Sequence, residues 1–262
     1  VAQRHCPFEI DSAAALQQLT DSGVTVYFCD SKHMPAAVAL PINRHSRQLK
    51  MLQKQVAMSV PLKKRLWRDI VCSKINNQAR CLDLTGSPGG DKLRYLASQV
   101  RSGDPDNHEA NAAAYYFPLL FGSGFIRGSD SIVNAALNYG YAIVRGAIAR
   151  NLVMYGLEPC LGINHHSSLN QFNLADDLIE PYRPIVDLMV AGMTFDSECE
   201  LTPRIKQKLF TVTNHLIALG EKNFRVISAI GQSVISLTQS ILSGKCNLSL
   251  PTLIELKEYR NE

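Results

Sequence analysis

The sequence predicts a mainly α protein, a large helical domain preceded by a short β/α piece. Three observations carry this. From residue 44 onward apolar residues recur at helical spacing, punctuated by caps, glycines and prolines. The stretch "DSIVNAALNYGYAIVRGAIARNLVMYGL" (130–157) is apolar on most faces, as a central buried helix is. The run read as strand is "VTVYF" (24–28), β-branched and aromatic.

The elements follow in order. "DSAAALQQLTDSG" (11–23) reads as a short helix, capped by Asp11 or Ser12 and ended by Gly23. After the strand, "MPAAVALPI" reads as an extended connector. In "SVPLKKRLWRDIVCSKINNQARCL", Pro61 suits a first helical turn, and Leu62, Leu66, Trp67 and Ile70 supply the apolar face. "DLTGSPGGD" (83–91) is a Gly/Pro loop, followed by a helix over 91–101. The Ala-rich segment after Asp106 is helical, with Asp106 or Asn107 near its start. The central helix ends near Gly156, and 170–194 form a helix interrupted by Pro181 and Pro184. Two more helices are expected over 203–219, stopped by Gly220, and over 222–242. No internal repeat or low-complexity segment interrupts this order.

Composition excludes several classes. A chain of 262 residues with 46% hydrophobic content can bury a sizeable core and is not disordered. No apolar run reaches membrane-spanning length, and without a secretory signal the expected compartment is the cytoplasm. Seven cysteines, an odd number with no CxxC pair, argue against a zinc ribbon or disulfide framework and for reduced, buried thiols.

Charge is more informative. Between Asp30 and Asp69 there is no acid, yet the interval holds nine basic residues: Lys32, Arg44, Arg47, Lys50, Lys54, Lys63, Lys64, Arg65 and Arg68. Such a span suits a polyanion; the alternative is a solvated basic helix face. No local acids neutralise it, which favours nucleic acid.

A second feature lies in "GINHHSSLNQFNLADDLIEPYRP" (162–184). Asp177 and Glu180 are three apart, and Asp176 and Glu180 four apart, so a helix presents each pair on one face. Their neighbours Leu174, Leu178 and Ile179 are apolar. Acids beside a core need a partner, and a cation between them is one solution, with His165 or His166 arriving from the preceding loop. An ordinary acidic surface stripe is the other. Pro181 and Pro184 cannot donate to the carbonyls of Asp177 and Glu180, so a kink with free carbonyls is expected. Glu109, in "NHEANAAAYYF", opens a helix built for close packing; it suits either a site or a dipole-favoured first turn.

Taken together, "HEANAAAYYFPLLFG", "NAALNYGYAIVRGAIARNLVMYGLEPCLGINH" and "NQFNLADDLIEPYRPIVD" resemble the CRISPR-associated spacer-acquisition integrase family, Cas-one, most closely its type II form. "VYFCDSKHMPAAVALP" and "KINNQARCL" match in the expected order, so the resemblance spans essentially the whole chain. It implies a helical catalytic domain over 43–262, preceded over 1–42 by the remnant of a β-rich N-terminal domain and a linker. It also implies Mg²⁺ or Mn²⁺ held by Glu109, His165 (the His closing "GINH") and Glu180, with Asp177 as an auxiliary acid and His166 outside the motif. The implied reaction is transesterification: a 3′-hydroxyl of a short DNA duplex attacks a phosphodiester at the leader–repeat junction of a CRISPR array. The implied partners are double-stranded DNA, the small Cas-two protein and a second copy of the chain. Arg44, Arg47, Lys50, Lys54, Lys63, Lys64, Arg65 and Arg68 would hold DNA phosphates, with Arg127, Arg145 and Arg183 as weaker candidates. Two alternatives remain: a transposon-type integrase or structure-specific metal-dependent nuclease with the same site, and a non-catalytic helical DNA-binding scaffold.

Reversing Lys63, Lys64 and Arg65 to Glu is expected to weaken duplex binding alike for all DNA sequences and to flatten its salt dependence. Binding titrations across a salt series check this; an unchanged slope refutes a phosphate role for the span.

Overall fold

The computed structural model describes residues 13–24, 26–29, 35–39, 48–195 and 200–258. Arg44 and Arg47, like Lys32, lie outside them. At the N-terminal side, α1 (Ala13–Asp21) adjoins an antiparallel hairpin of β1 (Val26–Cys29) and β2 (Pro35–Ala39). The segment expected as a connector thus contributes a strand. Pro35 sits at its first residue, where a missing N–H is tolerated.

Most of the rest is helical, as expected. After α2 (Gln48–Val56), α3 (Val60–Thr85) runs for 26 residues, about 39 Å of axis. Pro61 lies in its first turn, and Gly86 ends it at φ 71°, returning its N–H to Asp83 O. Leu62, Leu66, Ile70 and Ile75 are fully or almost fully buried along it. Next come α4 (Gly90–Gln99) and α5 (His108–Phe121). The helix α5 starts just after Asn107, as expected. Its first N–H groups are met by the Asp104 carboxylate, which accepts from His108 (2.9 Å) and Glu109 (3.0 Å). That acceptor reaches back from the preceding turn, which a search for a cap directly beside the helix overlooks.

The central helix α6 (Ile132–Met154) is capped by Ser131 Oγ and buried on most faces. The segment with the two prolines resolves into α7 (Asn173–Ile179), a 3₁₀ turn (Glu180–Tyr182) and α8 (Arg183–Ala191). The Glu180 carbonyl is not left free: Arg183 N–H closes onto it, the shorter bond that a 3₁₀ turn uses.

The expectation fails in part at 203–225. Both expected helices form, but α9 (Pro203–Phe210) is short, and a 3₁₀ turn (Thr211–Asn214) and an unexpected hairpin, β3 (Leu216–Leu219) and β4 (Lys222–Arg225), separate it from α10 (Val226–Ser243). Gly220, read as a helix stop, opens the tight turn at φ 59°. Burial alternates along β3, a period of two hidden within a short apolar run. Helix α10 is long and apolar enough to cross a membrane by composition, but Ala229, Ile230, Val234 and Leu237 are fully buried in the protein core. Among the described thiols Cys81 is buried and Cys72 and Cys246 half-buried, whereas Cys160 is exposed, against the expectation of buried cysteines.

Asn77, buried on α3, ties three regions together. Its Nδ2 donates to Pro181 O (2.8 Å) and Pro251 O (2.9 Å), and its Oδ1 accepts from Leu253 N–H (2.9 Å). It therefore fixes the proline-broken turn and the C-terminal segment on α3. Asn77→Ala leaves these buried groups unmatched and is expected to cost about 3 kcal/mol in urea unfolding. A loss below about 1 kcal/mol, the worth of an ordinary bond, contradicts that role.

Candidate active site

The site begins with a charge placed inside a core-facing stripe. Along α3, the apolar positions Leu66 and Ile70 are succeeded by Lys74 and Gln78 at the same spacing, and all four are buried. The Lys74 side chain is only 8% exposed, so its ammonium needs counter-charge. Glu109, from the first turn of α5, accepts a short hydrogen bond from Lys74 Nζ. Glu180 Oε2, from the 3₁₀ turn, lies 2.5 Å from the same nitrogen. Arg183 Nε donates to the other Glu180 oxygen at 2.8 Å. Burial pulls Lys74 down, but Glu180 and Glu109 outweigh it and hold the amine above its ordinary value. For Glu180, burial pushes upward, while Arg183 and Lys74 prevail and hold the carboxyl at about 2.

A cation therefore does sit between carboxylates, but between Glu180 and Glu109 rather than Glu180 and Asp177. The 3₁₀ turn sets Asp177 and Glu180 to different tasks. Asp177, fully buried, accepts from the N–H groups of Ile163 (2.5 Å), Asn164 (3.1 Å) and His165 (3.1 Å) and meets His165 Nδ1 at 2.7 Å. It folds the loop before α7 around one carboxylate. Gly162 permits this wrap, because a Cβ there would collide with the His165 carbonyl. A carboxylate only accepts, so Nδ1 carries the proton and Nε2 keeps its lone pair. The Asp177 hydrogen bond, against the opposing effect of burial, raises the His165 pKa, and Glu180 raises it further. The ring also packs edge-on against Trp67, centroids 5.8 Å apart. Trp67 and Lys74 are two turns apart on α3, about 10 Å along its axis. His166 is exposed.

Of the expected metal-binding residues, the structure thus joins Glu109 to Glu180 and joins His165 to Asp177. Among the described residues, no three His, Cys, Asp or Glu side chains converge as metal donors. The carboxylate pair does suit a hard cation: Glu180 Oε2 is buried with no well-formed hydrogen bond and meets the Lys74 ammonium as a bare ion pair. Asp176 is gripped by Arg145, Nε to Oδ1 at 2.7 Å and Nη2 to Oδ2 at 2.8 Å. Arg145 is therefore an ion-pair partner.

A cavity of about 230 Å³ opens over the pair, lined by Lys74, Gln78, Glu109, Tyr141, Glu180 and Arg183 among others. Arg127 and Arg183 lie over the Tyr141 ring, 5.4 and 4.6 Å from its centroid. Behind it, buried Asp187 accepts from Tyr116 Oη (3.1 Å) and, in a shorter bond, from Tyr141 Oη. Burial pushes the Asp187 carboxyl up to about 6 against the opposing pull of both tyrosines and Arg183. Sequence reasoning missed Lys74, Gln78 and Asp187. A signal for each exists: a charge and an amide four apart on an apolar stripe in "KINNQ", and a lone acid in "PIVDLMV".

Of the basic span, Lys50, Lys54, Lys64, Arg65 and Arg68 are exposed and Lys63 half-exposed on α2 and α3. Arg68 is turned onto its neighbour Asp69 at 2.7 Å. The others are Lys50 and Lys54 on α2 and Lys63, Lys64 and Arg65 in the first turns of α3.

A family model for CRISPR associated protein Cas1 matches residues 10–203. The chain is 45% identical over 255 residues to a CRISPR-associated endonuclease Cas1 from Neisseria meningitidis serogroup C, covering 96% of this chain and 84% of the relative. A second such protein, from Saccharolobus solfataricus, is 30% identical over 68% of this chain and 59% of its own length. Among solved structures, a casposase bound to integration product superposes with a TM-score of 0.76 at 20% identity, over 91% of this chain and 77% of that one. A CAS1 protein from Thermotoga maritima gives 0.63 at 16% identity, over 89% and 82%. A Cas6-RT-Cas1–Cas2 complex gives 0.67 at 17%, over 91% of this chain and 30% of that one. At these identities the structures establish a common fold.

Asp187 makes stability depend on pH with a defined sign. Its folded pKa of about 6 lies above the unfolded value, so its contribution is complete below about pH 4 and is lost as pH rises through 6. Asp187→Asn removes this dependence. Urea unfolding of both proteins at several pH values is expected to show the variant gaining on the parent between pH 4 and 7. A constant difference contradicts the assignment.

Proposed function

The chain belongs to the Cas1 family of CRISPR-associated proteins, and on that premise we propose that it is a metal-dependent DNA integrase of CRISPR adaptation. It inserts short DNA duplexes into a CRISPR array by 3′-hydroxyl attack on the leader–repeat phosphodiester. The observation that carries this reading is the convergence of Glu109 and Glu180, distant in sequence, on one buried cation beneath an open cavity. Glu109 and Glu180 would hold a Mg²⁺ or Mn²⁺, which would supply charge neutralisation at the scissile phosphate and activation of the attacking hydroxyl.

The chain's own residues supply the rest. Glu180, held at about 2, is a carboxylate throughout the working pH range. Arg183 clamps its other oxygen and so fixes its direction. His165 presents Nε2 as the remaining nitrogen donor, because Asp177 occupies Nδ1 and sets the tautomer. Asp177 is a positioning residue, since it touches His165 and the loop backbone rather than the cavity. The exposed lysines and Arg65 on α2 and α3 bind duplex phosphates, which gives affinity without base preference. Pairing two DNA ends needs two such sites, so the chain acts as a homodimer with the small Cas2 protein as partner.

Replacing Glu109 or Glu180 by Gln, or His165 by Ala, is expected to abolish strand transfer while folding and duplex binding persist. Asp177→Asn lowers the rate roughly 10–100-fold and His166→Ala is mild. The assay combines a purified duplex, a plasmid array and Cas2 with Mg²⁺ or Mn²⁺. Full activity in either Gln variant, or strand transfer in the presence of a chelator, overturns the proposal.

A further inference from the structure

We propose that Lys74 is a built-in counter-cation, one that holds Glu109 and Glu180 together for a divalent ion and yields its place when that ion binds. This rests on the metal-dependent reading of the same carboxylates. It adds a residue that acts before the reaction begins.

Four features point to it. First, the Lys74 ammonium contacts both carboxylates at once, buried together with Glu180 and beside the half-buried Glu109. Two carboxylates drawn to one nitrogen repel, all the more with Glu180 out of water, and the lysine removes the repulsion. Second, neither glutamate depends on the lysine for its backbone position. Glu109 N–H is fixed by Asp104, and Glu180 is held by Arg183. The carboxylates can therefore change cations without the fold coming apart.

Third, the displaced ammonium has somewhere to go. Gln78 lies one helical turn further along the same face of α3, and its Oε1 is buried without a hydrogen-bond partner. It lines the same cavity, as does Asp187, whose carboxyl already feels the Lys74 charge. A buried, unmatched acceptor within reach of a flexible four-carbon stem is an uncommon feature in a packed core. Fourth, charge does not permit both cations in one position. A divalent ion beside an unmoved ammonium places like charges in contact, so binding and displacement are one event. The lysine thus weakens metal binding while keeping the metal-free protein folded.

The test uses Lys74→Met, which keeps the stem and removes the charge, and the double variant Lys74→Met with Glu109→Gln, which restores the balance. Without divalent ions, Lys74→Met is expected to lower Tm by about 10 °C, through an uncompensated buried carboxylate. Mn²⁺ restores most of that loss. The double variant melts close to the parent without metal and gains little from Mn²⁺. Titration calorimetry with Mn²⁺ is expected to give about tenfold tighter binding to Lys74→Met than to the parent. Should Lys74→Met not fold without metal, recovery of folding in the double variant supports the proposal, and failure of both refutes it. Equal or weaker Mn²⁺ binding by Lys74→Met, with the parent binding normally, overturns the counter-cation and leaves the metal reading standing. Absence of Mn²⁺ binding in parent and variant removes both.

Discussion

Two carboxylates cannot meet at the edge of a core without a cation between them, and the centre of this molecule is arranged around that constraint. Lys74 meets it from the middle of the longest helix among the described residues. Placing an ammonium on a core-facing stripe costs desolvation of several kcal/mol, which only a close and well-held pair of counter-charges offsets. This is why Glu109 and Glu180 arrive from two different elements, and why each is anchored by a further residue. Asp104 holds the start of α5, and Arg183 holds the carboxylate of Glu180.

The proline-broken segment between α7 and α8 follows from the same need. A continuous helix would put Glu180 on one face with Asp177. The 3₁₀ turn separates them, so that Glu180 reaches Lys74 and Asp177 reaches back to the loop at 162–165. Asn77 secures the turn by donating to the Pro181 carbonyl, while its Oδ1 accepts from Leu253 N–H of the C-terminal segment. Arg145 binding Asp176 completes the sorting of the three acids. One is spent on fold, one on a loop and a histidine, and one on the cavity.

Of the two adjacent histidines, the structure distinguishes them by what each one's neighbours do. His165 is oriented by Asp177 on one side and Trp67 on the other, whereas His166 is exposed. A histidine whose tautomer is set by a carboxylate is the form suited to donating its second nitrogen to a metal or to a proton. The cavity over Glu109 and Glu180 is walled by Tyr141 under Arg127 and Arg183, so its cationic side is as fixed as its acidic one.

The mainly helical fold, most helix boundaries and the identity of Glu109, His165, Asp177 and Glu180 as residues of interest were legible in the sequence. Periodicity, prolines, glycines and the family resemblance are local or linear signals, and they survive without a structure. Three things were not legible. The hairpin at 216–225 reads as helix because a four-residue apolar strand shows no distinguishing period. The cap from Asp104 acts across a turn, beyond the spacing a cap search uses. The place of Lys74 could be decided only by packing, because a lysine in "KINNQ" is an ordinary helix residue until α5 and the 3₁₀ turn bring Glu109 and Glu180 to it. Sequence specifies which side chains carry charge. Which charges are forced to neutralise one another depends on the distances between elements far apart in the chain, and those exist only once the helices have packed.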